Sequence, residues 1–165
     1  VIAGTAVLRM PLTSYETYAF ASSGGGSSTR NYLYYDSEAH GARWLLQGNE
    51  KLIPWTCDLK CGLQPGEGKV LASLYSVVDS DSDRDGKLTA SDLSWILLTD
   101  APGARQARIL ERVSSAEGCE VLPRGAAVLF YVSKGELRAA TLGLTQLKVE
   151  DDSSLATLPP KGPAK

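Results

Sequence analysis

Turn-forming residues interrupt this chain so often that no segment is long enough for an extended helix, and what lies between the interruptions favours β-structure. Sixteen glycines and eight prolines are spread over 165 residues. Between them come short runs rich in β-branched, aromatic and aliphatic side chains: "TAVLRMPL", "YETYAFA", "NYLYYD", "ARWLLQ", "KLIPW", "VLASLYSVV", "SWILLTD", "ARILERV", "AAVLFYVS" and "ELRAATLGL". Two pairs read as hairpins. In "NYLYYDSEAHGARWLL" a polar turn separates two strands, and in "VLFYVSKGELRAATL" Lys134-Gly135 supplies the tight-turn chemistry. The predicted fold class is therefore all-β, with antiparallel hairpins arranged as a propeller-like body or a β-sandwich. The two hairpins are loosely alike, and at about 40–45 residues per blade the chain has room for three or four.

A chain of this length supports one domain with a real core, expected over residues 1–150. Within it the tract "ASSGGGSST", Ala21 to Thr29, reads as a flexible loop, and residues 151–165, ending "LPPKGPAK", read as a disordered tail. The 43% hydrophobic and 22% charged composition is that of a globular protein. A net charge of -2, with Lys and Arg scattered singly, gives no field to hold a polyanion, so nucleic acid is not an expected partner. No apolar run approaches the ~20 residues that span a bilayer. The first residue is Val1, which suggests that an upstream segment, such as a signal or anchor, was removed; membrane attachment is expected only through such a segment. Cys57 and Cys61 in "CDLKC" either close a small disulfide loop, leaving Cys119 free, or are reduced thiols.

The stretch "DSDRDGKLTASD", Asp81 to Asp92, carries the clearest chemistry. Asp81, Asp83 and Asp85 occupy positions 1, 3 and 5 of a twelve-residue loop, so alternating side chains can turn toward one centre. Gly86 stands at position 6, where the backbone must bend sharply. Lys87 at position 7 offers its carbonyl, Thr89 at position 9 ligates directly or through water, and Asp92 closes the loop at position 12. Leu88 is the apolar anchor. Calcium, which takes six to eight oxygen ligands, suits this set, and a cation offsets the repulsion among the carboxylates. The loop resembles that of the EF-hand, with Asp92 in place of the usual terminal Glu, as dockerin-like loops have it. The shorter side chain implies weak binding, in the range of ~10⁻⁴ to 10⁻³ M.

A sensing EF-hand needs a helix on each side, whose opening exposes a target groove. Leu71, Leu74, Tyr75 and Val78 have helical spacing, but that stripe is framed for a loop beginning at Asp79, two residues too early. "SWILLTD", on the outgoing side, reads equally well as a strand. The expectation is a calcium loop inserted between two β-strands as a local staple. A second resemblance covers about residues 15 to 150: the order of the aromatic hairpin, the acidic loop and "VLFYVSKGELRAATLGL" is similar to a group of uncharacterised bacterial proteins with propeller-like repeats, often envelope-anchored. It implies a periplasmic, cell-envelope or extracellular location and no chemistry.

No catalytic set emerges. His40, the single histidine, lies in a turn and lacks a G-x-S-x-G companion. Cys57, Cys61, Cys119 and His40 do not form the paired clusters of structural zinc. Trp44, Trp55 and Trp95 are assigned to core packing. The sequence thus predicts a non-catalytic, extracytoplasmic calcium-binding β domain that contacts a protein of the envelope. The alternatives are a fragment of an envelope hydrolase or glycan-processing enzyme, and a calcium sensor.

Overall fold

The computed structural model describes residues 1–15, 27–62, 68–123 and 125–159. These residues form eleven strands and no helix. β1 (Val7–Tyr15), β2 (Ser27–Asp36) and β3 (Gly41–Trp44) make a first antiparallel sheet in that order. β4 (Leu52–Cys61), β5 (Lys69–Val78), β6 (Ser94–Asp100) and β7 (Gln106–Val113) make a second, and β8 (Ser115–Val121), β9 (Ala127–Ser133), β10 (Glu136–Gly143) and β11 (Lys148–Thr157) a third. Every pairing joins strands adjacent in sequence, so each sheet is a meander.

Both hairpins expected from turn chemistry are present as β2–β3 and β9–β10. Lys134 and Gly135 have φ of 51° and 77°, the left-handed pair that matches a two-residue turn to the twist of its strands. The strand β11 corrects the expected disordered tail: residues 148–157 pair along β10, with Glu136 opposite Thr157, and residues 160–165 lie outside the described residues. Likewise Ser27, Ser28 and Thr29, assigned to the Ser/Gly loop, belong to β2, while residues 21–26 and most of "YETYAFA" lie outside the described residues.

The sheets stack with the second in the middle. On β5 and β6 the odd-numbered Tyr75, Val77, Trp95 and Leu97 pack with Tyr34 and Val7 of the first sheet. The even-numbered Ala72, Leu74, Ile96 and Leu98 pack with Leu129, Ala140 and Leu142 of the third. Being buried on both faces, β5 and β6 need apolar or small residues at nearly every position, which removes the alternation of a half-exposed strand. That is why the stripe at Leu71, Leu74, Tyr75 and Val78 has helical spacing inside a strand.

Each neighbour is secured differently. Between the first and second sheets, Arg9 on β1 donates to both carboxylate oxygens of Asp58 on β4 at 2.8 and 2.9 Å, to Ser73 Oγ at 3.1 Å and to Tyr75 Oη at 2.9 Å. Ser73 Oγ in turn donates to Asp58 at 2.7 Å, and the Tyr34 and Tyr75 hydroxyls bond each other. The Arg9 guanidinium lies 5.5 Å from the Tyr32 ring centroid. Gly103, with φ of 68° in the β6–β7 turn, fits against the Tyr34 ring so closely that a Cβ would overlap it. Between the second and third sheets a disulfide joins Cys57 to Cys119. This pairing is neither of the two alternatives read from the sequence, a Cys57–Cys61 loop or reduced thiols, and it leaves Cys61 as an exposed thiol. Cys57 and Cys61 share β4, and four residues of extended chain separate their Cα atoms by about 13 Å, beyond the reach of a disulfide.

Candidate metal centre

The acidic loop is the connection between β5 and β6, residues 79–93, and its backbone is organised by its own carboxylates. Asp81 Oδ1 accepts from the N–H groups of Arg84 (2.6 Å) and Asp85 (3.2 Å), and Oδ2 from that of Gly86 (2.8 Å). Asp83 accepts from Asp85 N–H at 3.1 Å, and Asp85 from Lys87 N–H at 2.8 Å. This successive capping curls the chain so that one oxygen each of Asp81, Asp83 and Asp85 lies within 4.8 Å of the others. Gly86 has φ of 87° and open space around its absent Cβ, so the left-handed backbone, not crowding, is what calls for glycine there.

Asp92 has a different place from the one expected by spacing. It is 1% exposed, and its Oδ1 accepts from Ser82 N–H (2.6 Å), Ser82 Oγ (3.1 Å) and Asp83 N–H (3.3 Å), its Oδ2 from Thr89 N–H (2.9 Å). The structure therefore sets Asp92 beneath the loop as a tie between its two ends and does not bring it into the cluster of three. The Thr89 amide, with those of Ser82 and Asp83, holds the Asp92 carboxyl below its ordinary range against the opposing effect of burial. Asp83 moves the other way. The Asp85 amide favours its charged form, but desolvation, the charges of Asp85 and Asp92 and its contact with Asp81 outweigh that bond and raise it. Thr89 Oγ1 accepts from Ser91 N–H at 3.2 Å, and Leu88 is half-buried.

At the entrance to the loop, Asp79 accepts a hydrogen bond from Trp95 Nε1 at 2.9 Å and lies 3.8 Å from the Arg108 guanidinium. Arg108 also covers the Trp95 ring, 4.4 Å from its centroid, and pairs with Glu111. Asp79 is thus engaged by β6 and β7, which separates it from Asp81, Asp83 and Asp85 although all four alternate in sequence. Spacing could not reveal this, because Trp95 reaches back across the hairpin.

Of the other residues singled out by sequence, His40 is exposed in the β2–β3 turn, its Nδ1 3.4 Å from Tyr35 Oη. Trp95 is in the core and Trp55 packs partly into the second cluster, but Trp44 is 49% exposed on the first sheet, contrary to a core assignment. β3 is a short edge strand, and Trp44 pairs with Leu33 on the face turned away from the second sheet. No protein-family model matches the chain, and no curated protein matches its sequence.

Proposed function

We propose that this chain is a non-catalytic, extracytoplasmic β domain in which one calcium ion, held by Asp81, Asp83 and Asp85 with the Lys87 carbonyl and Thr89, staples the β5–β6 connection, while the outer sheet faces serve protein contact. The convergence of one carboxylate oxygen each from Asp81, Asp83 and Asp85 to within 4.8 Å of one another carries this reading. A divalent cation relieves the repulsion among them, and oxygen ligands suit calcium. Asp92 supports the ion indirectly, by fixing the loop ends. Because strands flank the loop on both sides, the ion has no helix pair to open, which favours a staple over a sensor.

The Cys57–Cys119 disulfide supports a periplasmic, envelope or extracellular location, where such bonds persist. Consecutive meanders stacked face to face, with the middle sheet covered twice, support a propeller-like arrangement over a two-layer sandwich. The test is a thermal melt in millimolar calcium and in chelator. The parent chain is expected to melt higher in calcium by about 3 to 11 °C, from roughly 1.4 to 2.7 kcal/mol at 10 mM ion and the weak affinity given above. The Asp81→Ala, Asp85→Ala double variant is expected to lose that difference. Equal melting of the parent in both solutions overturns the staple.

A further inference from the structure

Among the described residues no sheet packs on the outer face of either end sheet, and the two faces differ in shape. On the first sheet, Met10, Leu33 and Trp44 form a row across three strands, directly paired in register, on the face opposite Tyr34. Met10 and Trp44 are 44% and 49% exposed, and Trp44 is the largest side chain projecting from the row. On the third sheet, Phe130 and Val132 of β9 lie opposite Ala139 and Leu137 of β10, on the face turned away from Leu129 and Ala140. Here the surface is concave. A groove of about 490 Å³ is lined by Phe130, Val132, Leu137 and Leu158, with Glu117 and Gly118 at its wall. The carboxylates of this face, Glu117, Glu120 and Asp151, fall on the edge strands β8 and β11, so an apolar centre is bordered by a polar rim.

We propose that the occupant of each face is a second copy of this chain, bound head to tail, with Trp44 of one copy seated in the Phe130–Leu137 groove of the other and two copies closing a ring of six sheets. A projecting indole on one end and an apolar groove on the other are complementary between copies and not within one, which is the condition for a heterologous contact. Glu117 at the groove wall supplies an acceptor for the buried indole N–H, as such a group requires. Area decides between an open pair and a closed one. With ~4.8 Å between strands and ~3.4 Å per residue, each open face covers roughly 400 Å², about half of what a stable interface buries per partner. One contact is therefore weak. Closing the ring makes the same contact twice and brings the buried area per copy to roughly 800 Å². The ring names an occupant for the protein-contact surface of the preceding reading, while the calcium staple is tested separately by the melts in calcium and chelator.

Sedimentation equilibrium of the parent chain at ~100 μM is expected to give twice the 17.6 kDa chain mass. Trp44→Lys and Phe130→Glu are each expected to sediment as monomers that melt cooperatively. Mixed in equal amounts they are expected to form a dimer, since one contact is then wild-type on both sides and the other pairs Lys with Glu. A monomeric parent overturns the proposal, as does a mass that keeps growing with concentration past two copies. So does either variant alone remaining dimeric, which would mean an isologous contact. A mixture that stays monomeric although both variants melt cooperatively overturns it too.

Discussion

The central sheet is joined to its neighbours by two chemistries. Toward the first sheet it presents Asp58, Ser73 and Tyr75 to a single arginine, and the junction adds this hydrogen-bonded ion pair to an apolar cluster that includes Val7, Val77 and Leu97. Toward the third sheet it presents Leu59, Leu74, Ile96 and Leu98, and the junction is apolar with one covalent cross-link. The ion pair is expected to respond to protons and the cross-link to reductant.

The largest effect expected from breaking this comparison is at the disulfide. Cys57→Ser frees a closure spanning 62 residues, and is expected to lower stability by at most about 4 kcal/mol in urea titrations under oxidising conditions. Reductant should bring the parent to the same midpoint and leave the variant unmoved; a parent insensitive to reductant would make the apolar contacts sufficient.

Arg9→Met comes next, at about 3 kcal/mol, because it leaves the Asp58 carboxylate between two sheets without its cation. Its pH dependence has a definite sign. Burial raises the Asp58 pKa, but the hydrogen bonds from Arg9 and Ser73 outweigh burial and hold it below the ordinary carboxylate value. A depressed folded-state value means that the pair stabilises above about pH 4 and that this contribution is lost as pH falls through the folded pKa. The gap between parent and Arg9→Met should therefore be widest at neutral pH and narrow below pH 4. A gap constant from pH 7 to 3 would assign the loss to packing of the arginine stem.

The smallest change belongs to the loop, which lies at neither junction. In chelator, Asp83→Asn is expected to raise the melting temperature slightly, since it removes a charge that its neighbours oppose. In calcium it is expected to lower it. A decrease in both solutions would show that the strength the Asp83 charge lends to the bond from Asp85 N–H outweighs the repulsion.

Local features were the most legible. The β5 segment could be read as a strand despite helical spacing because that stripe is framed for a loop beginning at Asp79, the β6 segment because Trp, Ile and Thr suit a sheet, and Lys134-Gly135 marked its hairpin correctly. The Asp81, Asp83, Asp85 cluster was legible because alternate side chains a few residues apart are placed by the local backbone alone. Asp92 was read as a fourth member because twelve-residue spacing says nothing of which backbone amides lie beneath the loop. The tail was misjudged because the Asp and Ser residues of β11 look like a solvated segment, and on an outer edge strand they are solvated while the backbone still pairs.

By itself, the sequence determined the strands other than β8 and β11, the turns of two hairpins and the alternation of carboxylates in the acidic loop, all consequences of neighbours within a few residues. Only the tertiary structure decided that Arg9 meets Asp58 and Tyr75, 49 and 66 residues away, and that Cys57 crosses to Cys119. It also decided that Trp44 stays outside the core. Those outcomes depend on which face of each sheet is covered and by what, and strand register, with its period of two, fixes that face only once the sheets are stacked.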